Sequence, residues 1–282
     1  MMSRSSFSQI RRSFRLALVP LLFSFAACGG ARAQLLHSGP LAWVSSPDSL
    51  GLPEEPVPAG VMTFESRADS LEFVRARGAA ERATGLRVVI SRFDRKLWVI
   101  MGDDTLRTAP AGVGMGSTLS HGKRVWRFET PRGKRVIRGK EAEPVWTPPL
   151  WHYVEVARDH GLHLEKLERG RPVQLDGGAR IEVRGDSVGT VGPDGVFYPL
   201  STDEEIVFGD TLFVPPIGTV NRKIPGILGQ HMLDMGDGYL LHGTPEKESI
   251  GRAATHGCVR LRDDDVAWLY ETIPVGTPVY IY

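Results

Sequence analysis

Cysteine is scarce in this 282-residue chain, which carries only Cys28 and Cys258. Two cysteines so far apart supply no C-x-x-C pair for a metal or a redox couple. An excess of one charge is also missing: 34 Lys and Arg oppose 33 Asp and Glu, a net +1. That balance, with no long single-sign run, gives no reason to invoke nucleic acid or an anionic membrane as a partner. Beyond the N-terminus no apolar run approaches the roughly 20 residues of a transmembrane helix. What remains, 41% apolar and 24% charged residues, is the composition of a soluble globular protein of one or two domains. Function has to come from local motifs.

The N-terminus (residues 1–33) reads as an export signal. A basic, polar start precedes the short apolar run Leu16 to Ala27, and an A-x-A site follows at Ala31-Arg32-Ala33. Arg11-Arg12-Ser13-Phe14 resembles a twin-arginine signal, from which Ile10 and Arg15 depart. Two fates compete. Cleavage after Ala33 releases a soluble protein that has lost Cys28. Alternatively, Phe25 to Cys28 resembles a bacterial lipobox, with Phe25 where Leu is usual, and Cys28 becomes a lipidated first residue. The membrane is a partner only on that second route. Either way Cys258 is left as a lone thiol in an oxidising compartment, where cysteines usually pair. It is either a small buried apolar residue or a reactive one.

Residues 34–85 read as a Pro-, Gly- and Ser-rich tether followed by a modest helix over Ser66 to Thr84, with Leu71, Phe73, Val74, Ala79 and Ala80 as its apolar positions. From Leu86 the β-branched texture predicts a three-stranded meander with turns at FDRK and GDD, and Phe128 to Ile137 a turn running into a strand. Val145 to Tyr153, with adjacent prolines, cannot be a regular helix, and Trp151 to Leu162 is expected to turn briefly helical. Residues 164–214 alternate in short strands with DGG, GPDG and FGD turns and read as an inserted β-rich segment. The chain ends in a helix from Asp263 to Ile273 and a strand. The Asp263 to Asp265 trio suits a solvated helix start, through capping and the macrodipole, better than a metal site.

A cysteine nucleophile needs a base and donors for a developing oxyanion. The stretch LLHGTPEKESIGRAATHGCVRL holds His242 at the end of an apolar strand, His256, and Gly257 just before Cys258. Glycine there permits a tight turn with converging N–H groups. No acid stands beside His242, so the Gly243 carbonyl is the economical group to orient its ring. Taken alone, His242 also reads as a half-buried strand-end residue. Zinc is a further rival, with His242, His256 and Cys258 as ligand types and His231 as a fourth, but no metal spacing supports it. His121, His152, His160 and His163 read as isolated surface or loop residues.

The run HGT…SIGRAATHGCVRL resembles the active-site signature of the bacterial L,D-transpeptidases, the YkuD-type catalytic domain. The likeness extends from about Leu86 to Tyr282, through the meander, ETPRGKRVI and PGILG…GYLLHGT, and excludes the insertion. It implies a mainly β, sandwich- or barrel-like catalytic fold over 86–282 with a few short helices. It implies Cys258 as acyl-accepting nucleophile, His242 as base and the Gly243 carbonyl as its orienter. Backbone N–H groups at His256, Gly257 and Cys258 would form the oxyanion hole, with Thr255 and His256 shaping the pocket. Arg260 would meet a substrate carboxylate or brace the loop, and Tyr239 and Trp146 (with Trp151 beside it) would line the substrate groove or serve as core. The T-P-x-G segment has Arg135 or Val136 where the family carries an aromatic, which puts its local packing in question.

The resemblance further implies no metal or other cofactor, acylation by carbapenems, and peptidoglycan peptide stems as partners. Cys258 would take the acyl group of a tetrapeptide stem with loss of D-Ala, and a second stem, a protein lysine, a D-amino acid or water would resolve the thioester. A hydrolase using the same pair and an inactive wall-binding module are the alternatives. The insertion is either an elaboration covering a sheet edge or a lid that sets acceptor choice. A palmitate analogue fed to expressing cells separates the two N-terminal fates: absence of label on the wild type excludes the lipid anchor.

Overall fold

The computed structural model describes residues 64–282; the expected export signal, Cys28 and the expected tether up to residue 63 lie outside the described residues. A helix, α1 (Arg67–Arg82), opens the fold and is capped by the Ser66 hydroxyl, which accepts from the Asp69 N–H. The expected meander follows as β1 (Arg87–Ser91), β2 (Lys96–Met101) and β3 (Asp104–Pro110). Next come β4 (Val113–Gly114), the hairpin of β5 (Thr118–His121) and β6 (Arg124–Arg127), then β7 (Gly133–Val136), β8 (Gly139–Ala142) and β9 (Val145–Trp146). Helix α2 (Leu150–His160) precedes a run of short strands: β10 (His163–Lys166), β11 (Val173–Gln174), β12 (Arg180–Arg184), β13 (Ser187–Val191), β14 (Phe197–Pro199), β15 (Ile206–Phe208) and β16 (Thr211–Val214). The chain returns through β17 (Ile224–Pro225), β18 (His231–Asp234), β19 (Leu240–His242), β20 (Ala253–Thr255) and β21 (Val259–Arg260), then closes with α3 (Asp263–Thr272) and β22 (Pro278–Ile281).

Two sheets share one core. The first has the order β3-β2-β1-β22-β7 and the second β21-β19-β18-β8. Alternation along each strand sends Val88, Ile90, Leu97, Val99, Val279 and Ile281 from the first sheet against Leu233, Leu241 and Val259 from the second. Helix α3 fills the remaining side with Val266 and Leu269. The fold is therefore mainly β, as expected. Strand β1 is buried at all five residues because Val89, on its outer face, packs under α1 with Ala80 and Tyr280.

Several local expectations are corrected. Only Phe73, Ala76 and Ala80 of α1 are buried, while Leu71 and Val74 stay exposed. The Pro148-Pro149 pair does not keep Leu150 to Tyr153 out of helix: Pro149 is the N-cap of α2, where a missing N–H costs nothing, and helix starts on the next residue. The Asp263 to Asp265 trio opens α3, but Arg262 occupies the N-cap without a side-chain capping bond. Asp265 is buried rather than solvated, and pairs at 2.7 Å with Arg107, whose guanidinium lies over Trp268. His152 is half-buried in α2, edge-on to Trp146 and 3.7 Å from Glu205.

The inserted strands form two small sheets, β10-β16-β15 and β11-β12-β13-β14, around Leu167, Ile181, Val188, Ile206 and Phe213. The parallel pairing of β10 with β16 closes the segment on itself. It rests on α2, through Tyr153 and Ala157 against Leu212 and Val214, rather than along an edge of either main sheet. Arg222, buried without a carboxylate, donates to the carbonyls of Pro148 and Pro215 and stacks on Tyr153, tying the end of the insertion to the start of α2. Among the described residues no helix is long and apolar enough to cross a membrane. Because Leu269 fills the space between α3 and the sheets, Leu269→Ala should lower stability by about 2–5 kcal/mol, read as a shift of the urea midpoint at unchanged slope.

Candidate active site

The register of β19 against β21 assembles the site. The strands run parallel, with Leu241 opposite Val259 and His242 opposite Arg260. Leu241 and Val259 are 0% exposed in the core. Alternation therefore turns His242 and Arg260, and with them Leu240 and Cys258 two positions earlier, to the opposite face. His242 and Cys258 are thus diagonal neighbours on one face of the sheet. The half-buried Cys258 thiol donates to the Gly238 carbonyl at 3.7 Å, and the Leu240 N–H faces the sulfur.

His242 is buried, with Nδ1 2.5 Å from the Gly243 carbonyl. A carbonyl only accepts, so the proton sits on Nδ1 and the neutral ring keeps its lone pair on Nε2. Gly243 itself is crowded: a Cβ there would come within 2.4 Å of the Asp263 carboxylate. Burial pushes the His242 pKa down to about 4, opposed by the Gly243 carbonyl and assisted by the positive Arg260. Burial also pushes the Cys258 thiol up, with the Leu240 N–H and Arg260 pulling it back in part. Both shifts favour a resting pair of neutral thiol and neutral imidazole.

The turn before the cysteine is held by threonines. The Thr255 hydroxyl donates to the Cys258 carbonyl at 2.6 Å and accepts the Gly257 N–H at 3.1 Å. The Gly257 N–H, expected among the oxyanion donors, is thus already engaged, which leaves His256 and Cys258 as the candidate donors in this turn. Thr130, fully buried, accepts from the Gly114 N–H and donates to the Gly257 carbonyl at 3.0 Å. Gly257 has φ +126°, and a Cβ would sit 2.9 Å from both the Glu129 carbonyl and the Tyr239 ring. Glycine is required there by conformation and by space.

Tyr239 lies against this turn and under the Arg135 guanidinium, 4.6 Å from its centroid. Arg135 also donates to the Met235 and Gly236 carbonyls and to Asp237. A stacked cation thus occupies the place where an aromatic was expected, and the local packing is intact. Arg260 pairs with Glu246, in the loop that joins His242 to Cys258, so it braces that loop. The His256 ring is stacked on Trp151 at 4.0 Å and 15°, edge-on to Phe128, with Nε2 2.9 Å from Glu155. Trp146 is tilted against Trp151 at 6.0 Å, extending one aromatic wall. His231 stands apart on β18, its ring against Tyr270; among the described residues no cluster of three His, Cys, Asp or Glu could hold a metal ion. His121, His160 and His163 are exposed. Thr130, Glu155 and Phe128 were not foreseen; the T-P pair at Thr130 was the one visible signal.

His242 ends β19, and Cys258 directly precedes β21, the strand that pairs parallel with it. The chain belongs to the L,D-transpeptidase family: residues 85–281 match the model of the YkuD L,D-transpeptidase catalytic domain. It is 46% identical over 52 residues to the probable L,D-transpeptidase YbiS of Escherichia coli K12, covering 18% of this chain and 17% of that protein. It is 24% identical over 228 residues to the probable L,D-transpeptidase YcfS of the same strain, covering 79% of this chain and 52% of the relative. The chain thus spans between a sixth and about half the length of these relatives. Among solved structures, the L,D-transpeptidase (residues 123-326) of Xylanimonas cellulosilytica aligns at 17% identity and a TM-score of 0.37, over 71% of this chain and 62% of that one.

A neutral resting pair has a measurable signature. Iodoacetamide alkylation of Cys258 should rise with a midpoint above about 8.5, the ordinary cysteine value. The His242 ring, followed by NMR, should titrate near pH 4. Because the folded state resists protonating His242, its contribution to stability is complete above about pH 6.5, the ordinary histidine value, and is lost as pH falls through 4. An alkylation plateau already reached at pH 7 would contradict the neutral pair.

Proposed function

We propose that the protein is an exported peptidoglycan L,D-transpeptidase of the cell envelope, with Cys258 as nucleophile and His242 as its base. The observation that carries this reading is the shared face of His242 and Cys258, with Nδ1 of the ring committed to the Gly243 carbonyl. That commitment leaves Nε2 free to take the thiol proton. As it does so, sulfur attacks the carbonyl joining the diamino acid at position three of a tetrapeptide stem to the terminal D-Ala. The tetrahedral oxyanion is met by the Cys258 and His256 N–H groups. The C–N bond then breaks, the proton passes from His242 to the leaving amine, and D-Ala departs from a thioester.

In the second half, His242 takes a proton from an amine of another stem as that amine attacks the thioester. The C–S bond breaks, and the proton returns to the thiolate. The product is a 3→3 cross-link; a protein lysine, a D-amino acid or water resolves the thioester by the same proton traffic. Arg260, paired to Glu246, keeps the loop between base and nucleophile in place, and its charge stabilises the thiolate as it forms. Trp146, Trp151 and His256 offer an apolar ledge for the stem, while Tyr239 supports the turn from behind. The Thr255 hydroxyl fixes the turn, and no metal or cofactor is required by any step.

Mature protein incubated with disaccharide-tetrapeptides should release D-Ala and yield dimers detectable by mass spectrometry. Cys258→Ala should abolish both products, and His242→Ala should slow them by about a hundredfold to ten-thousandfold, the usual contribution of a general base. D-Ala loss without dimers would instead assign a hydrolase, and full turnover by Cys258→Ala would refute the mechanism.

A further inference from the structure

The residue before Gly257 is held by a partner more than a hundred positions earlier in the chain. Nε2 of His256 lies 2.9 Å from the Glu155 carboxylate, at side-chain exposures of 26% and 23%. The carboxylate accepts, so a proton resides on Nε2 in either charge state of the ring. The ring plane is fixed independently by the parallel Trp151 face and the Phe128 edge. Glu155 and Trp151 are one helical turn apart on α2, so a single face of that helix presents both. Another face of α2 carries Tyr153 and Ala157 into the apolar contact with Leu212 and Val214 of the inserted strands. The helix thus stands between the insertion and the nucleophile turn, anchored on both sides.

We propose that Glu155 is a positioning residue for acyl transfer: its hydrogen bond to His256, on a helix buttressed by the inserted strands, sets the backbone N–H groups that flank Gly257. This rests on the L,D-transpeptidase reading for its reaction, but the geometry concerns the turn alone. The turn needs such help because its middle N–H is spent on Thr255. The flanking N–H groups of His256 and Cys258 must converge on the oxyanion, and a His256 ring held by Glu155 and Trp151 restrains the backbone that carries the first of them. The insertion accordingly supports the site through α2, a role different from covering a sheet edge or acting as a lid.

Three readings on the mature protein test this, in wild type, Glu155→Ala and Glu155→Gln. Acylation of Cys258 by a carbapenem, followed by intact mass, requires an oxyanion; alkylation by iodoacetamide does not. Glu155→Ala should slow acylation by about 10- to 100-fold, the scale of a small misplacement of reacting groups, while alkylation stays within about twofold, a margin set by the loss of one nearby charge. Glu155→Gln, whose amide oxygen still accepts, should recover most of the acylation rate. In the 15N NMR spectrum, the His256 Nε2–H resonance should be sharp in wild type and Glu155→Gln and lost to exchange in Glu155→Ala. Acylation at the wild-type rate in Glu155→Ala, equal slowing of acylation and alkylation, or an unchanged ring signal would each overturn the proposal. A wild type that carbapenem does not acylate counts against the transpeptidase reading, and the ring signal then still decides the role of Glu155.

Discussion

Burial of Leu241 opposite Val259 is the constraint on which the site depends. With those two side chains in the core, strand alternation leaves His242 and Cys258 on one face. A slip of one residue in either strand would put an imidazole or a thiol into the apolar interior and expose an aliphatic side chain instead. The apolar core therefore sets the register, and the register brings His242 and Cys258 to one face.

The turn at Gly257 is fixed by a second, polar set of contacts. Thr255 closes it from within, and Thr130 fastens its carbonyl to β4. The segment carrying Thr130 is in turn bound to α1, where Arg132 pairs with Asp69 at 2.6 Å and lies over Phe64 and Phe73. The opening helix thus covers β1 and also steadies a segment that touches the Gly257 turn. On the opposite side, α2 reaches the same turn through Trp151 and Glu155. Elements drawn from widely separated parts of the chain converge on two or three peptide units.

Electrostatics complete the arrangement. Burial disfavours charge on both His242 and Cys258, while Arg260 and the Leu240 N–H favour the sulfur anion in part. A thiol kept protonated is also a slower target for oxidation, since the thiolate is the reactive form. An unpaired cysteine with a raised pKa is consistent with both demands.

The sequence by itself determined the mainly β fold, because strand periodicity and turn residues are local signals: the meander from β1 to β3, the short strands of the insertion and the closing strand were all legible. It also carried the membership of the family, through the resemblance of HGT…SIGRAATHGCVRL to the family's signature. It left open which apolar residues of α1 are covered: Leu71 and Val74 face outward, since which side of a helix is covered depends on what packs against it. Tertiary structure alone decided that the Gly257 N–H is engaged, that Arg135 replaces an aromatic by stacking on Tyr239, and that Glu155 meets His256. Those are contacts between residues two to more than a hundred positions apart, and no pattern along one segment encodes how folding brings them within hydrogen-bonding distance.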